Sequence, residues 1–428
     1  MNEKFLQFIW QHQYFNHHSL LLESGENLSI INTGKLNTHQ GPDFLEASVR
    51  IDDIQLIGNI EVHILASDWI KHNHQHDKQY KNIIVHVVWK NDIPVKDYFN
   101  NPIPVLVLEG RISQSMLLRY QQLIKPSAIP CHQSNFPSIN VLNWLAWKER
   151  LLAERLEHKS LHVLELFKES NKNWEEVFWW MIARNFGVKV NAELFESIAK
   201  SLPIKILSKH KHQLQQLEAL LMGQANLLVD NLEDDYYIML QKEYAYLQKL
   251  YHLKPINIQP NFLRMRPANF PTIRLSQLAV LIQQSLHLFS KLKEIKNSKE
   301  AKLLFSVISN DYWHYHYRFN QLTEFKPKVL GSSTINNILI NTVVPVFFAY
   351  GIYNKQEEFK EKAMVWLNQI PPEVISLIYS WDLYDLKPKS AFDSQALVEL
   401  TNNYCIKKKC LECMVGNKLL KADSVCGD

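Results

Sequence analysis

The sequence predicts an α+β N-terminal domain built on a mixed sheet, residues 1–125, followed by a mostly α-helical domain, residues 126–428, with a cysteine cluster near its end. Three observations predict it. Short β-type runs punctuated by turn residues fill residues 29–107, and helical periodicity takes over after about Ser113. A chain of 428 residues is also long enough for two or more domains with real cores. Hydrophobic residues at 46%, with only 11 Gly and 17 Pro, set it apart from disordered and low-complexity chains.

The strand runs are residues 28–32, 47–51, 56–64, 83–89 and 105–108, with turns marked by Gly41, Pro42 and Asp43 and by Asp52 and Asp53. Between the third and fourth runs, Ser67 and Asp68 form a cap signal that predicts a helix running to Tyr80. In the second part, Trp144, Trp147, Leu151, Leu152 and Leu156 fall at i, i+3, i+7, i+8 and i+12, one apolar face of a long helix. Similar stretches recur over residues 174–186, 214–222, 235–251, 275–292 and 360–367, separated by connections near Pro255, Pro327 and Pro371. No period of 20 to 50 residues recurs, so a regular solenoid is not expected.

Several function classes fall away on composition. Lys plus Arg exceeds Asp plus Glu by 47 − 43 = +4, which permits a nucleic-acid partner without requiring one. Five cysteines are too few for a secreted disulfide scaffold, and residues 1–10 carry Glu3 and Lys4 and are broken by Gln7, unlike a secretory h-region. A cytoplasmic location is expected. The most apolar stretch, residues 342–353, is shorter than the roughly 20 residues a bilayer demands and contains Pro345, so it is read as a buried helix and no membrane partner is expected. The chain also lacks a phosphate-loop G-x-x-x-x-G-K-[ST], a G-x-G-x-x-G and an H-E-x-x-H.

The most informative residues are Asp43, at the head of one strand run, and Glu61 and His63 in the next. Glu61 and His63 are two apart and share a strand face, while Ile60, Val62 and Ile64 face a core. Two carboxylates buried close together are costly unless a cation holds them, so a divalent metal is the economical solution. Oxygen ligands favour Mg2+ or Mn2+, and His63 in the coordination shell would tilt the choice toward Mn2+ or Zn2+. The plainer alternative is a turn followed by a solvated strand face. His72, His74, His76 and His86 add polar groups expected near the same edge, but for His72, His74 and His76 a solvated face is the preferred reading, since their spacing is not the i, i+4 pair of a helical zinc site.

Asp43 followed eighteen positions later by Glu61-Val62-His63 resembles the PD-(D/E)XK nuclease core, whose acid begins one strand and whose Glu-x-Lys lies on the next. The resemblance covers the first quarter of the chain. It implies a restriction-endonuclease-like sheet, Mg2+ or Mn2+ on Asp43 and Glu61 with the Val62 carbonyl completing the shell, and His63 where the family's Lys orients the attacking water. Glu23 stands where many members carry a further acid. Lysine brings a fixed charge and imidazole a pH-dependent one, so the His-for-Lys departure bears directly on activity. The implied function is divalent-metal-dependent hydrolysis of phosphodiester bonds in nucleic acid. The alternative is a catalytically inactive nuclease fold that binds nucleic acid or serves assembly, and a third reading, with His63 and His86 as ligands, predicts Zn2+. Over its length the chain also resembles an uncharacterised bacterial domain-of-unknown-function family, through strings such as Gly41-Pro42-Asp43-Phe44, Glu61-Val62-His63, Gly223-Gln224-Ala225 and Arg264-Met265-Arg266-Pro267, and the cysteine-bearing end. That likeness implies no function.

Cys405, Cys410 and Cys413 give C-x4-C-x2-C beside Lys407, Lys408 and Lys409, whose charges would favour thiolates. Three thiolates need a fourth ligand to close a Zn2+ or iron-sulfur site, and Cys131 is a better candidate than Cys426. The alternative is a set of reduced cytosolic thiols. Arg264, Arg266 and Arg274 lie within eleven residues just before an expected helix near Leu275, a pattern that suits a backbone-phosphate clamp, although for any single Arg an ion-paired interdomain loop is the slightly preferred reading. The rings from Trp313 to Tyr317 are read as core.

Overall fold

A computed structural model describes residues 1–125, 139–285, 287–381 and 386–421. The chain divides into two compact units, one comprising Met1–Val141 with Thr401–Asp428 and the other Leu142–Leu400.

The first unit opens with helix α1 (Glu3–His12), capped by the Asn2 side chain accepting from Phe5 N at 3.0 Å. Phe5, Leu6, Phe8 and Ile9 are buried on one side of it, and the helix packs on the sheet. The strands are β1 (Leu28–Asn32), β2 (Lys35–Leu36), β3 (Phe44–Ile51), β4 (Ile54–Leu65), β5 (Ile83–Lys90) and β6 (Val105–Val107). They lie in the order β1-β3-β4-β5-β6, with β2 beside the head of β3. β1, β3 and β4 run antiparallel, whereas β5 and β6 add in parallel, so the expected mixed sheet is present.

Local chemistry sets this pattern. Asp52 turns the β3–β4 hairpin in the left-handed region at φ 48°, and its carboxylate accepts from Asn27 N at 2.9 Å. The β3 register slips by one residue between Phe44 and Ala47, where Glu46 has φ 57°, a bulge that re-aims the head of the strand. β5 is buried from Ile84 to Val88, as a parallel strand covered on both faces must be.

The expected helix from Ser67 to Tyr80 does not form as one piece. Helix α2 covers only Asp68–Lys71, and two 3-10 turns follow, His74–His76 and Lys78–Tyr80. Ser67 makes no side-chain cap, and Asn73 sits at φ 61°, a conformation that ends a helix and that Asn tolerates. Helix α3 (Gln114–Leu123) closes the N-terminal stretch, capped by Ser113.

The second unit is mostly helical: α4 (Val141–Glu169), α5 (Trp174–Phe186), α6 (Ala192–Ser201), α7 (Ile204–Lys209), α8 (Leu214–Gln224), α9 (Asp235–Tyr251), α10 (Pro271–Gln284), α11 (Leu288–Glu294), α12 (Ser298–Leu304), α13 (Asp311–His314), α14 (Ser332–Ile338), α15 (Val344–Asn354), α16 (Glu357–Gln369), α17 (Ser376–Tyr379) and α18 (Ala391–Glu399), with two isolated β-bridges, Ile308 to Val329 and His316 to Leu322, in the connection before α14. The apolar face read for α4 is correct at Trp147, Leu151, Leu152 and Leu156, all buried. The single helix expected over 275–292 is two: α10 starts earlier, with Pro271 at its first position, and stops before Ser285. A π turn at Leu339–Val343 joins α14 to α15. The resulting helical run Ser332–Asn354 is long and apolar enough to cross a bilayer by length and composition, yet 72% of its most apolar window is buried in the protein, as a core helix is.

Helix α19 (Met414–Lys421) packs on α3, where Arg119 Nη1 donates to Leu420 O at 3.2 Å. The cysteine-bearing end therefore groups with the sheet unit rather than with the helices that precede it.

Candidate metal centre

Phe44 pairs with Ile60 across the β3–β4 hairpin, so the residue entering β3 and the residue after Ile60 fall side by side. Those residues are Asp43 and Glu61, and each carboxyl is tied to the other's strand. Asp43 N donates to Glu61 Oε2 at 3.0 Å, and Val62 N donates to Asp43 Oδ2 at 3.1 Å. Helix α1 supplies a third contact, Gln7 Nε2 donating to Asp43 Oδ1 at 2.8 Å. Glu3, one helical turn before Gln7, adds negative potential at both carboxyls.

Burial dominates the electrostatics. The Asp43 carboxyl is pushed up to about 7, first by burial and then by the neighbouring Glu61, against the pull of Gln7 and Val62. Glu61 is pushed up to about 8, by burial foremost, with Asp43 N opposing and Glu3 adding. No Lys or Arg pairs with either carboxyl among the described residues; the charged-capable groups facing Glu61 are imidazoles.

Period two on β4 carries His63 to the face of Glu61, and the parallel register sets His86 of β5 opposite Glu61. His63 Nδ1 and His86 Nε2 are hydrogen-bonded at 2.9 Å. On its other side, His63 Nε2 lies 3.1 Å from His72 Nδ1 and 3.5 Å from Glu61 Oε1. His74 Nε2 lies 3.3 Å from the same Glu61 oxygen, with its ring stacked on Tyr80 at 3.9 Å and edged by Trp69. Burial holds the imidazoles neutral: His63 is pushed down to about 2, His86 to about 3, and His74 also below its ordinary range. Neutral imidazole is the metal-binding form. The ring nitrogens of His63, His72 and His74 lie within 4.8 Å of one another, a group able to hold a metal ion.

Asp43, Glu61 and His63 are thus brought together, and Val62 joins them through its N–H. Glu23 is exposed, its backbone N–H bonding Val105 O. Sequence reasoning missed Gln7, for which the signal was Glu3 and Gln7 at i, i+4, and it set aside His72 and His74, which the Asn73 turn folds back to His63. His76 remains exposed.

The other candidates stay apart. Cys405, Cys410 and Cys413 are buried and not in disulfides, and among the described residues their sulfurs do not form a metal-holding trio. Burial raises the Cys410 thiol and pushes Cys413 up to about 11, so the thiolates expected from the flanking lysines are not favoured; Lys408 opposes the shift at Cys410 but does not reverse it. Cys131 and Cys426 lie outside the described residues. Arg264 and Arg266 are exposed, but Arg274 is 5% exposed and donates to Asn269 Oδ1 at 2.5 Å, Gln277 Oε1 at 3.1 Å and Thr334 Oγ1 at 3.2 Å. The three guanidinium groups do not present one surface. Trp313 is fully buried and donates to Glu218 Oε1 at 3.1 Å, a core role.

Sheet, hairpin and cluster together define an α+β protein that holds a buried carboxyl–imidazole group in its N-terminal sheet and continues into a helical unit. The chain belongs to the family described as Protein of unknown function (DUF2851), whose family model matches residues 3–375. The match takes in the whole carboxyl–imidazole group and stops before the cysteine-bearing end. No curated protein and no solved structure matches the chain.

Proposed function

We propose that the N-terminal unit is a divalent-metal-dependent hydrolase of phosphodiester bonds in nucleic acid, with the restriction-endonuclease-like fold that this activity would use. Asp43 and Glu61 would hold Mg2+ or Mn2+, which polarises the phosphate and lowers the pKa of bound water. His63, held neutral by burial, would accept a hydrogen bond from that water and orient it. The observation that carries the reading is the buried carboxyl pair itself, tied through each partner's backbone N–H and set beside a neutral imidazole. Raised carboxyls next to depressed imidazoles are a combination that catalytic sites use and ordinary cores avoid. An acid at the head of one strand and an acid-x-base triplet on its antiparallel neighbour also agrees with the PD-(D/E)XK arrangement.

The test pairs calorimetric Mn2+ titration with cleavage assays on single-stranded and duplex DNA and RNA. Wild type is expected to bind Mn2+ and cleave at least one substrate, while Asp43→Asn keeps the substrate and loses turnover. Mn2+ heats equal in wild type, Asp43→Asn and Glu61→Gln would remove the carboxyl pair from the reading. A second reading, an inactive nucleic-acid-binding or assembly module, is favoured by one specific observation: both Asp43 oxygens and Glu61 Oε2 already accept N–H bonds. It predicts no Mn2+ heat and nucleic-acid retention indifferent to Asp43→Asn.

A further inference from the structure

The spacing of four ligand atoms carries the most. A tetrahedral ion with bonds of ~2.0–2.1 Å to nitrogen or oxygen has ligand-to-ligand edges of about 3.3–3.4 Å. Around Glu61 Oε1 and His63 Nε2 the separations are 3.1 Å (His63 Nε2 to His72 Nδ1), 3.3 Å (His74 Nε2 to Glu61 Oε1) and 3.5 Å (His63 Nε2 to Glu61 Oε1). Three edges of a tetrahedron are therefore already close to length. The ring nitrogens of the three imidazoles lie within 4.8 Å of one another, a group that does not include Glu61, and His74 sits in a short 3-10 turn rather than a strand.

We propose that His63 Nε2, His72 Nδ1 and His74 Nε2 form a three-imidazole site for a single transition-metal ion of the zinc class, with Glu61 Oε1 beside two of the three nitrogens as the nearest further ligand. Three imidazole nitrogens and one carboxylate oxygen suit Zn2+ or Co2+ and do not suit Mg2+, which prefers oxygen and six ligands. His74 Nε2 is buried and has Glu61 Oε1, 3.3 Å away, as a polar neighbour. A buried nitrogen facing a carboxylate is what a metal would satisfy. His86 completes the arrangement as a positioning residue. When His63 gives Nε2 to a metal its proton moves to Nδ1, and His86 Nε2, 2.9 Å away, accepts it. The Asn73 backbone, at φ 61°, is what lets His72 and His74 reach one point from either side of a turn, and Trp69 and Tyr80 wall the His74 ring. Exposed His72 leaves a route from solvent.

This site stands apart from the hydrolase reading, although the two share Glu61 and His63. With an ion here, His63 reaches water only through the metal and is no longer a free base.

The experiment is Co2+ titration of chelator-stripped full-length protein, read by visible absorption. Wild type is expected to take up one equivalent with the intense d–d bands of four-coordinate Co2+, and excess Zn2+ is expected to bleach them. His72→Gln is the decisive variant, because an exposed side chain can change without unfolding the unit. It and His74→Gln should lose the bands and weaken binding by at least the ~10–100-fold that outer-shell changes cost. Asp43→Asn should keep them. A weak six-coordinate spectrum, or bands unchanged in His72→Gln, overturns the assignment. Bands present while no nucleic acid is cleaved sinks the hydrolase reading alone, and cleavage without bands sinks this one alone.

Discussion

Glu61→Gln, in protein stripped of metal, gives the sharpest physical test of the cluster. Glu61 is 5% exposed, and its carboxyl holds its proton to about 8 in the folded chain against an ordinary value of 4.5. The folded state therefore binds more protons than the unfolded state between those values, so stability falls as pH rises across that window. At ~1.4 kcal/mol per unit, the full ionisation of Glu61 costs up to about 5 kcal/mol. Asp43 is shifted the same way and the two are coupled, so the Glu61 figure alone is an upper bound. Glutamine keeps an oxygen to accept from Asp43 N and carries no charge. The variant should therefore be more stable than wild type at about pH 9, by several kcal/mol, with the advantage gone near pH 5, where the wild-type carboxyl is already neutral. Urea unfolding in a chelator across that range measures it, and comparing the two proteins cancels every other titrating group. Added Zn2+ or Mn2+ should then stabilise wild type more than the variant, which keeps three imidazoles and loses the carboxylate, as a ligand bound only by the folded state requires. An advantage that is constant with pH, or a variant less stable at high pH, would refute the buried-carboxyl account.

Two further predictions concern the helical unit. A methyl group on Gly223 would lie 2.2 Å from Tyr244 Cγ and Cδ2, so Gly223→Ala should lose on the order of 1–3 kcal/mol to overpacking, more than the ~1 kcal/mol that alanine gains in a helix; an unchanged denaturation midpoint would contradict it. Arg274→Met should destabilise by roughly 1–3 kcal/mol for each acceptor left unpaired, while Arg264→Ala and Arg266→Ala stay within about 0.5 kcal/mol. Equal losses at all three would restore the view of them as one functional cluster.

How far the sequence could be read depended on whether a feature was periodic. Period-two runs placed β1, β3, β4 and β5 within a few residues of their observed bounds, and heptad-like spacing found the buried face of α4 and the extents of α5 and α9. Features set by a single backbone torsion were invisible. Glu46 belongs to a residue type that seldom visits φ above zero, and Asn73 to one that tolerates it but adopts it at only some of the positions where it occurs. The helix expected from near Leu275 begins four residues earlier, at Pro271, because proline at the first helical position has no intrahelical N–H bond to lose.

The same distinction explains the site. Asp43, Glu61 and His63 were legible because a hairpin and an alternation of two fix which residues become neighbours, without any knowledge of packing. His72 and His74 were not, since i, i+2 is a meaningless spacing on a helix and becomes a pincer only when Asn73 reverses the chain between them. That reversal has a conformational cost, and no apolar burial at Asn73 repays it, for the residue is exposed. What the turn accomplishes is to bring two imidazoles to a carboxyl that already lies beside another carboxyl and a third imidazole, with no lysine or arginine paired to either acid among the described residues. A sheet that only needed to fold would have placed apolar side chains there, as β5 does at Val85, Val87 and Val88. The concentration of acids without a basic partner and of neutral imidazoles at the end of one hairpin is what supports the proposal of a bound cation.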